Sequence, residues 1–391
     1  MTYDFDTFID RLKSYSSKWK LMEAAKANIP SGVVPMSTAE MEFATAPEIL
    51  QGLQAYLENP GFLGYNVPTS EYVESVLDWH KKYHRLSLNQ EWLVPTPGVL
   101  PGLSMAMQLL TEAGEGVIIF NPVYHAFNGI TRNYGRKIVN IPLKEKDLNY
   151  SIDWEFFEQA AQSEQNKLLL LCNPHNPIGR VWKVEELDRV VEICQKHHLA
   201  IISDEMWQDW YHGDRSHHSM LRYVNQIEHL VVCTSPSKTF NFGGLKVAST
   251  WIANLGLRQE FIEMLMQRYY FVNIIGLEAT RIAYQQAQPW FEAAKSYVWQ
   301  NLELVVSFLN ELPRIKTQLP EFGYSVWVDF RELEMTPDEL TSFLIDNAQI
   351  VGTHGSSINE DGNGFVRLNI AMPRHKLQES LERLKSSLDL L

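Results

Sequence analysis

The sequence has little cysteine, a deficit of positive charge and no long apolar run, and each shortage removes a class of function. Three cysteines in 391 residues, Cys172, Cys194 and Cys233, form no Cys-x-x-Cys pair and make an odd number. That argues for a reducing compartment and against a disulfide framework or a zinc site. Basic residues number 34 against 47 acidic ones, a formal charge of -13, and they are scattered without a Lys/Arg-rich run. A nucleic acid or an anionic membrane surface is therefore not the expected partner. The apolar runs are too short to cross a bilayer. The N-terminus, Met-Thr-Tyr-Asp-Phe-Asp, lacks the basic and apolar regions of a signal peptide, so cytoplasmic residence is the expectation. No strand-like run is followed by Gly-x-Gly-x-x-Gly, which disfavours a dinucleotide-dependent dehydrogenase. Internal repeats, low-complexity segments and long linkers are also missing.

What is present is a 45% hydrophobic chain, enough for one large domain and a smaller one. Residues 1–30 read as helical up to the stop at Pro30-Ser31-Gly32, and Glu71–His84 as a helix burying Tyr72, Val76, Leu77 and Tyr83. From residue 95 short apolar runs alternate with helix-length segments: Val117–Phe120, Lys137–Ile141, Lys167–Cys172, Ala200–Ser203, Leu230–Cys233 and Val247–Ile252, with Val184–His197 among the helices. That rhythm predicts an α/β domain with a mostly parallel sheet. Long helices follow, then Gly323–Phe330, Gly352–Ser356 and Phe365–Ile370, which read as strands of a smaller α+β unit. The expected division is a large domain over 45–285 and a small one from 1–44 with 286–391.

In parallel sheets ligands gather beyond the carboxyl ends of the strands, so the residues there come first. After Leu230–Cys233 stands Thr-Ser-Pro-Ser-Lys-Thr-Phe-Asn-Phe-Gly-Gly-Leu, residues 234–245. Desolvation at such a site favours the neutral amine of Lys238, which can attack a carbonyl and form a Schiff base. Ser235 and Ser237 suit a phosphate beside it, and the whole suggests a pyridoxal phosphate lysine; a loop with a solvated lysine would read the same way. Asp204, after Ala200–Ser203, can keep a pyridinium nitrogen protonated or can cap a helix. Asn173-Pro174-His175-Asn176-Pro177 forces a turn whose amides can meet a phenolate or merely close a strand. Thr96-Pro97-Gly98 precedes a helix whose first N–H groups can hold phosphate. Tyr124 can stack on a cofactor ring or sit as an ordinary buried aromatic.

Taken in order, these strings resemble the fold-type I pyridoxal phosphate enzymes of the class I/II aminotransferase group, and within it the MalY/PatB-type cystathionine beta-lyases, or C-S lyases. The resemblance implies that Lys238 holds the cofactor and later moves the Cα proton, that Asp204 binds the ring nitrogen and Asn176 the ring O3', and that Tyr124 stacks on the ring. It implies a phosphate site from the N–H groups after Gly98, at Val99 and Leu100, with Ser235, Ser237 and Lys246. Arg367 would clamp the substrate carboxylate, with Asn176 beside it, and Tyr65 would reach the phosphate of a neighbouring subunit in a homodimer. The expected reaction is β-elimination from a sulfur amino acid, with an aminotransferase as the alternative. Two departures bear on specificity: Trp207 stands where relatives carry His or Tyr, and Met36–Phe43 differs from the usual Met-Trp-Val-Ala-Asp-Met-Asp-Phe.

Overall fold

The computed structural model describes residues 3–26, 28–59, 61–358 and 362–390. The chain divides into two compact units, one of Thr45–Asn176 and Arg180–Phe291, the other of Met1–Ala44, Pro177–Gly179 and Glu292–Leu391. Among the described residues no helix is long and apolar enough to cross a membrane.

The larger unit is built on seven strands: β1 (Leu93–Thr96), β2 (Gly116–Asn121), β3 (Lys137–Pro142), β4 (Asn166–Cys172), β5 (Ala200–Asp204), β6 (Leu230–Thr234) and β7 (Ala248–Ile252), in the order β1-β7-β6-β5-β4-β2-β3. The strands from β2 to β6 pair in parallel, while β7 runs antiparallel to both β6 and β1. Every residue of β2, β5 and β6 is buried, which is why these strands read as unbroken apolar runs rather than alternating ones. Strand β1 escapes a pattern search because Pro95 interrupts it. Proline is tolerated there because β1 is an edge strand with one partner.

Helices α1 (Ser70–His84), α2 (Val99–Leu110) and α3 (Val184–Lys196) belong to the same unit. Helix α3 buries Leu187, Val190, Val191, Ile193 and Cys194 at helical spacing. Helix α1 is rotated from the expected face: it buries Tyr72, Ser75, Val76, Trp79, His80 and His84, and leaves Leu77 and Tyr83 half-buried. Leu103, Val117, Ile119, Phe127, Leu168 and Val231 form part of the main core. Parallel pairing brings the carboxyl ends of β4, β5 and β6 level, with Cys172 beside Asp204 and Asp204 beside Cys233.

The smaller unit carries an antiparallel sheet of β8 (Lys316–Thr317), β9 (Ser325–Asp329), β10 (Thr353–His354) and β11 (Phe365–Asn369), ordered β8-β9-β11-β10. Its last helix, Arg374–Leu388, buries Leu377, Leu381 and Leu384. The N-terminal stretch is not the long helix expected. Helix is confined to Ser17–Ala24, because carboxylates upstream capture backbone donors: Asp4 Oδ1 accepts from the N–H groups of Asp6 and Thr7, and Asp10 Oδ1 from that of Leu12.

Candidate active site

Asp204 ends β5 and is 7% exposed. Its Oδ1 accepts the N–H of Met206 at 3.0 Å; Oδ2 accepts no hydrogen bond among the described residues. Burial in the first place, with the neighbouring Glu205 charge adding to it, pushes this carboxyl up from 3.8 to about 6, against the Met206 N–H and the cation of Lys238. The carboxylate is thus held in a place that costs it charge, with an acceptor to spare.

Glu205, the next residue, is saturated. Its Oε1 accepts from Ser203 Oγ at 3.0 Å, Met220 N–H at 2.8 Å and Asn173 Nδ2 at 3.3 Å, and its Oε2 meets His217 Nε2 at 2.9 Å. Burial alone would raise this carboxyl, yet His217 and the other donors hold it below the ordinary glutamate value.

Lys238 lies in the turn after β6, with Nζ 5.9 Å from the centre of the Trp207 ring. The turn is pinned by short-range bonds: Phe240 N–H to Pro236 O at 2.9 Å, Phe242 N–H to Ser237 O at 3.2 Å, and Trp210 Nε1 to Lys238 O at 2.8 Å. Ser235 Oγ donates to Val247 O at 2.7 Å and stands 2.8 Å from Ser237 Oγ. Since the Ser235 proton goes to Val247, Ser237 is the donor within the pair, and it is the hydroxyl able to turn to a ligand. Lys246 is exposed, in a left-handed conformation with φ 51°.

Helix α2 begins after Gly98, which caps it without a side chain at φ 113°. A Cβ at Gly98 would meet only Pro101 Cδ at 3.7 Å, so its backbone angle and not crowding calls for glycine. At Gly102 the reason reverses: a Cβ there would sit 2.7 Å from Thr250 Oγ1 and 3.1 Å from Cys233 Sγ. Glycine lets the first turn of α2 lie on β6 and β7. The N–H groups of Val99 and Leu100 have no intrahelical acceptor and carry the positive end of the helix dipole.

Around Asn176, which is 9% exposed, the loop is braced by backbone bonds between His175 and Arg180 at 2.8 and 3.4 Å and by Asn173 Nδ2 to His218 O at 2.9 Å. Tyr124 is half-buried after β2, its ring 4.7 Å from His125 and 6.3 Å from Phe127.

Arg367 belongs to the smaller unit, in the middle of β11, where Nη2 donates to Ser37 O at 3.0 Å and Thr353 Oγ1 at 3.3 Å. The Met36–Phe43 segment therefore supplies a carbonyl that orients this guanidinium. Tyr65 lies on the surface of the larger unit with relative exposure 106%, among exposed Phe62, Leu63 and Val67.

The structure also draws in residues that the sequence did not single out. Asp209 is buried beyond Trp207 and accepts from Trp79 Nε1 at 3.1 Å, His84 Nε2 at 2.7 Å and Thr239 Oγ1 at 2.5 Å. The signal available was the spacing of His80 and His84, four apart and in step with Tyr72, Val76 and Trp79 on one helix face.

Residues 31–384 match the family model for aminotransferase class I and II. Cystathionine beta-lyase PatB of Bacillus subtilis is 31% identical to the chain, over 98% of this chain and 100% of its own length. The crystal structure of cystalysin from Treponema denticola, which contains a pyridoxal 5'-phosphate cofactor, superposes with a TM-score of 0.97 at 37% identity and covers 100% of both chains. A pyridoxal phosphate-bound C-S lyase from Staphylococcus hominis gives 0.91 at 28% identity, over 99% of this chain and 98% of that one. The sheet, the glycine-led helix and the strand-end aspartate and lysine sit in a fold of type I pyridoxal phosphate enzymes, and the chain belongs to the class I and II aminotransferase family.

Proposed function

We propose that the protein is a pyridoxal 5'-phosphate-dependent C-S β-lyase that cleaves a sulfur amino acid such as cystathionine to a thiol, pyruvate and ammonia. The observation that carries the reading is full-length likeness to a cystathionine beta-lyase and to cofactor-bound C-S lyases. The residues present suit that cofactor. Asp204 has a carboxylate oxygen without a hydrogen bond among the described residues, available to a cationic ring N–H, the start of α2 offers N–H donors for a phosphate, and Gly102 keeps that turn against the sheet.

When bound, the cofactor supplies an electron sink for the charge left at the substrate's Cα. Asp204 would keep the ring nitrogen protonated by a charge-assisted hydrogen bond. Tyr124 would pack on the ring and Asn176 would donate to its O3'. Val99 and Leu100 N–H, the hydroxyls of Ser237 and Ser235, and Lys246 would hold the phosphate, Ser237 more directly because the Ser235 proton is engaged. Arg367 would hold the substrate carboxylate in a planar fork. Lys238 would take the Cα proton, and the sulfur would leave Cβ with the C-S electron pair and be protonated. Water then releases pyruvate and ammonia from the remaining three-carbon fragment.

Exposed Phe62, Leu63, Tyr65 and Val67 support a homodimer in which Tyr65 reaches the partner's phosphate site. Three buried, unpaired cysteines support a reducing, cytoplasmic setting. Family membership makes transamination the rival, since it uses the same residues up to loss of the Cα proton. Loaded protein mixed with L-cystathionine distinguishes them: pyruvate, ammonia and a thiol formed without any 2-oxo acid support the lyase. Turnover that needs a 2-oxo acid and returns its amino acid makes the protein an aminotransferase.

A further inference from the structure

We infer that Asp209 is a positioning residue for Lys238, acting through Thr239 and held in place by His84 and Trp79. The inference rests on Lys238 being the proton-transferring group. Asp209 is 1% exposed and five residues beyond Asp204, on the turn that leaves β5. Its Oδ2 accepts from Thr239 Oγ1 at 2.5 Å, one residue after the lysine, and Trp210 Nε1, from the adjacent residue, donates to the carbonyl of Lys238 itself at 2.8 Å. Two consecutive side chains of one turn thus grip two consecutive residues of another.

The other carboxylate oxygen is held by α1. Oδ1 accepts from Trp79 Nε1 at 3.1 Å and from Nε2 of His84, the last residue of the helix, at 2.7 Å. Trp79 is itself stacked on Tyr83, at 3.9 Å, and on Tyr284, at 4.8 Å, which restrains the donor. Each Asp209 oxygen is directed by a different element, and the carboxylate can neither rotate nor shift without breaking a buried bond. This arrangement fixes where the lysine backbone sits, and a lysine displaced by a fraction of an ångström loses the close approach that proton transfer needs.

Thr239 gives the cleanest test, because valine removes the hydroxyl and keeps the shape, while serine keeps the hydroxyl. The proton transfer of Lys238 can be read without elimination, as exchange of the Cα hydrogen of L-alanine in deuterium oxide by holoenzyme, followed by NMR. Thr239→Val should slow that exchange about tenfold at saturating alanine, and Thr239→Ser should recover at least half of the wild-type rate. The visible absorbance of the holoenzyme, titrated with pH, should shift its midpoint in Thr239→Val and in Asp209→Asn but not in Thr239→Ser. Equal exchange rates for the valine and serine variants, with unshifted absorbance midpoints, would overturn the inference. Lys238→Ala separates the two levels of the argument: if it still exchanges the Cα hydrogen at the wild-type rate, the assignment of Lys238 fails, and not merely its positioning.

Discussion

Asp204 and Glu205 leave the same strand end side by side, both in the interior, and meet opposite surroundings. Glu205 accepts from a hydroxyl, a backbone N–H, an amide and a histidine, and is held below its ordinary pKa. Asp204 accepts from a single backbone N–H and is pushed up to about 6. Elsewhere the buried acids follow Glu205. Asp209 is bonded on both oxygens, and Glu42 takes Lys18 at 2.7 Å and Trp19 Nε1 at 3.0 Å. A carboxylate that serves the fold is saturated, because an unmet acceptor in the interior costs stability. One kept under-bonded at a strand end is a candidate for ligand contact.

Removing the charge from each member of the pair should separate the two roles. Asp204→Asn keeps shape but takes away the acceptor that favours a protonated ring nitrogen. We expect kcat/KM to fall by about 10³-fold, on the order of 4 kcal/mol, with a melting temperature equal to or above that of wild type. Steady-state kinetics beside thermal unfolding of the cofactor-free protein reads both. An Asp204→Asn enzyme with wild-type turnover would remove Asp204 from the chemistry.

Glu205→Gln should show the reverse. If its new NH2 faces His217, the ring must accept at Nε2 and carry its proton on Nδ1, a buried atom without a hydrogen-bond partner among the described residues. If it turns the other way, it confronts the Ser203, Asn173 and Met220 donors. Either arrangement leaves buried donors unmet, for a loss of about 3 kcal/mol in unfolding free energy. Activity per folded molecule should stay within a few-fold, measured on protein whose cofactor content has been matched. A large loss in kcat at unchanged stability would contradict the division of roles.

The pair should also differ in the sign of its pH dependence. Glu205, held below its ordinary 4.5, stabilises the fold at neutral pH, and that contribution is lost as pH falls through its folded value. Asp204 works the other way. Below about pH 4 it is protonated folded or unfolded; between 3.8 and about 6 the unfolded chain releases the proton while the fold retains it, so stability declines as pH rises and the cost is complete above 6. A gap of that width corresponds to about 3 kcal/mol at most. A cationic ring nitrogen would relieve it. The melting-temperature difference between loaded and cofactor-free protein should therefore widen from pH 5 to pH 7, and Asp204→Asn should flatten that trend.

Sequence patterns carried the sheet well where burial on both faces makes strands uniformly apolar, as in Leu230–Thr234, and poorly where a strand lies at the edge and contains Pro95. The N-terminal stretch misled because Asp4 and Asp10 look compatible with helix until their oxygens are seen on nearby backbone donors. Among the candidates, Asp204 and Lys238 could be picked out because each follows an apolar run, and their order at successive strand ends set them apart where neither position did so alone. Asp209 and His84 could not, because their pairing joins residues 125 apart in sequence and each taken singly resembles a surface residue. The two serines proposed for the phosphate lie between these cases: the string Ser-Pro-Ser shows two hydroxyls, and only the structure shows that one is already engaged.

That engagement yields the smallest contrast, within the serine pair. Ser235 gives its proton to Val247 O and accepts the Ser237 N–H at 3.1 Å, so it fastens the lysine turn to the strand entering β7; Ser237, 9% exposed, has the proton that can move. A hydrogen bond to a charged phosphate contributes about 1.5–3 kcal/mol when fully formed, and less where backbone N–H groups share the same oxygens. Ser237→Ala should therefore weaken cofactor binding about tenfold with little change in the melting temperature of the cofactor-free protein. Ser235→Ala leaves the Val247 carbonyl and the Ser237 N–H without their partner, and should lower that melting temperature by several degrees even before cofactor is added. Titration of cofactor-free protein by visible absorbance, beside its thermal unfolding, compares the two. If both serines weakened binding equally at unchanged stability, both hydroxyls would face the phosphate, and Ser235 would have to release Val247 to do so.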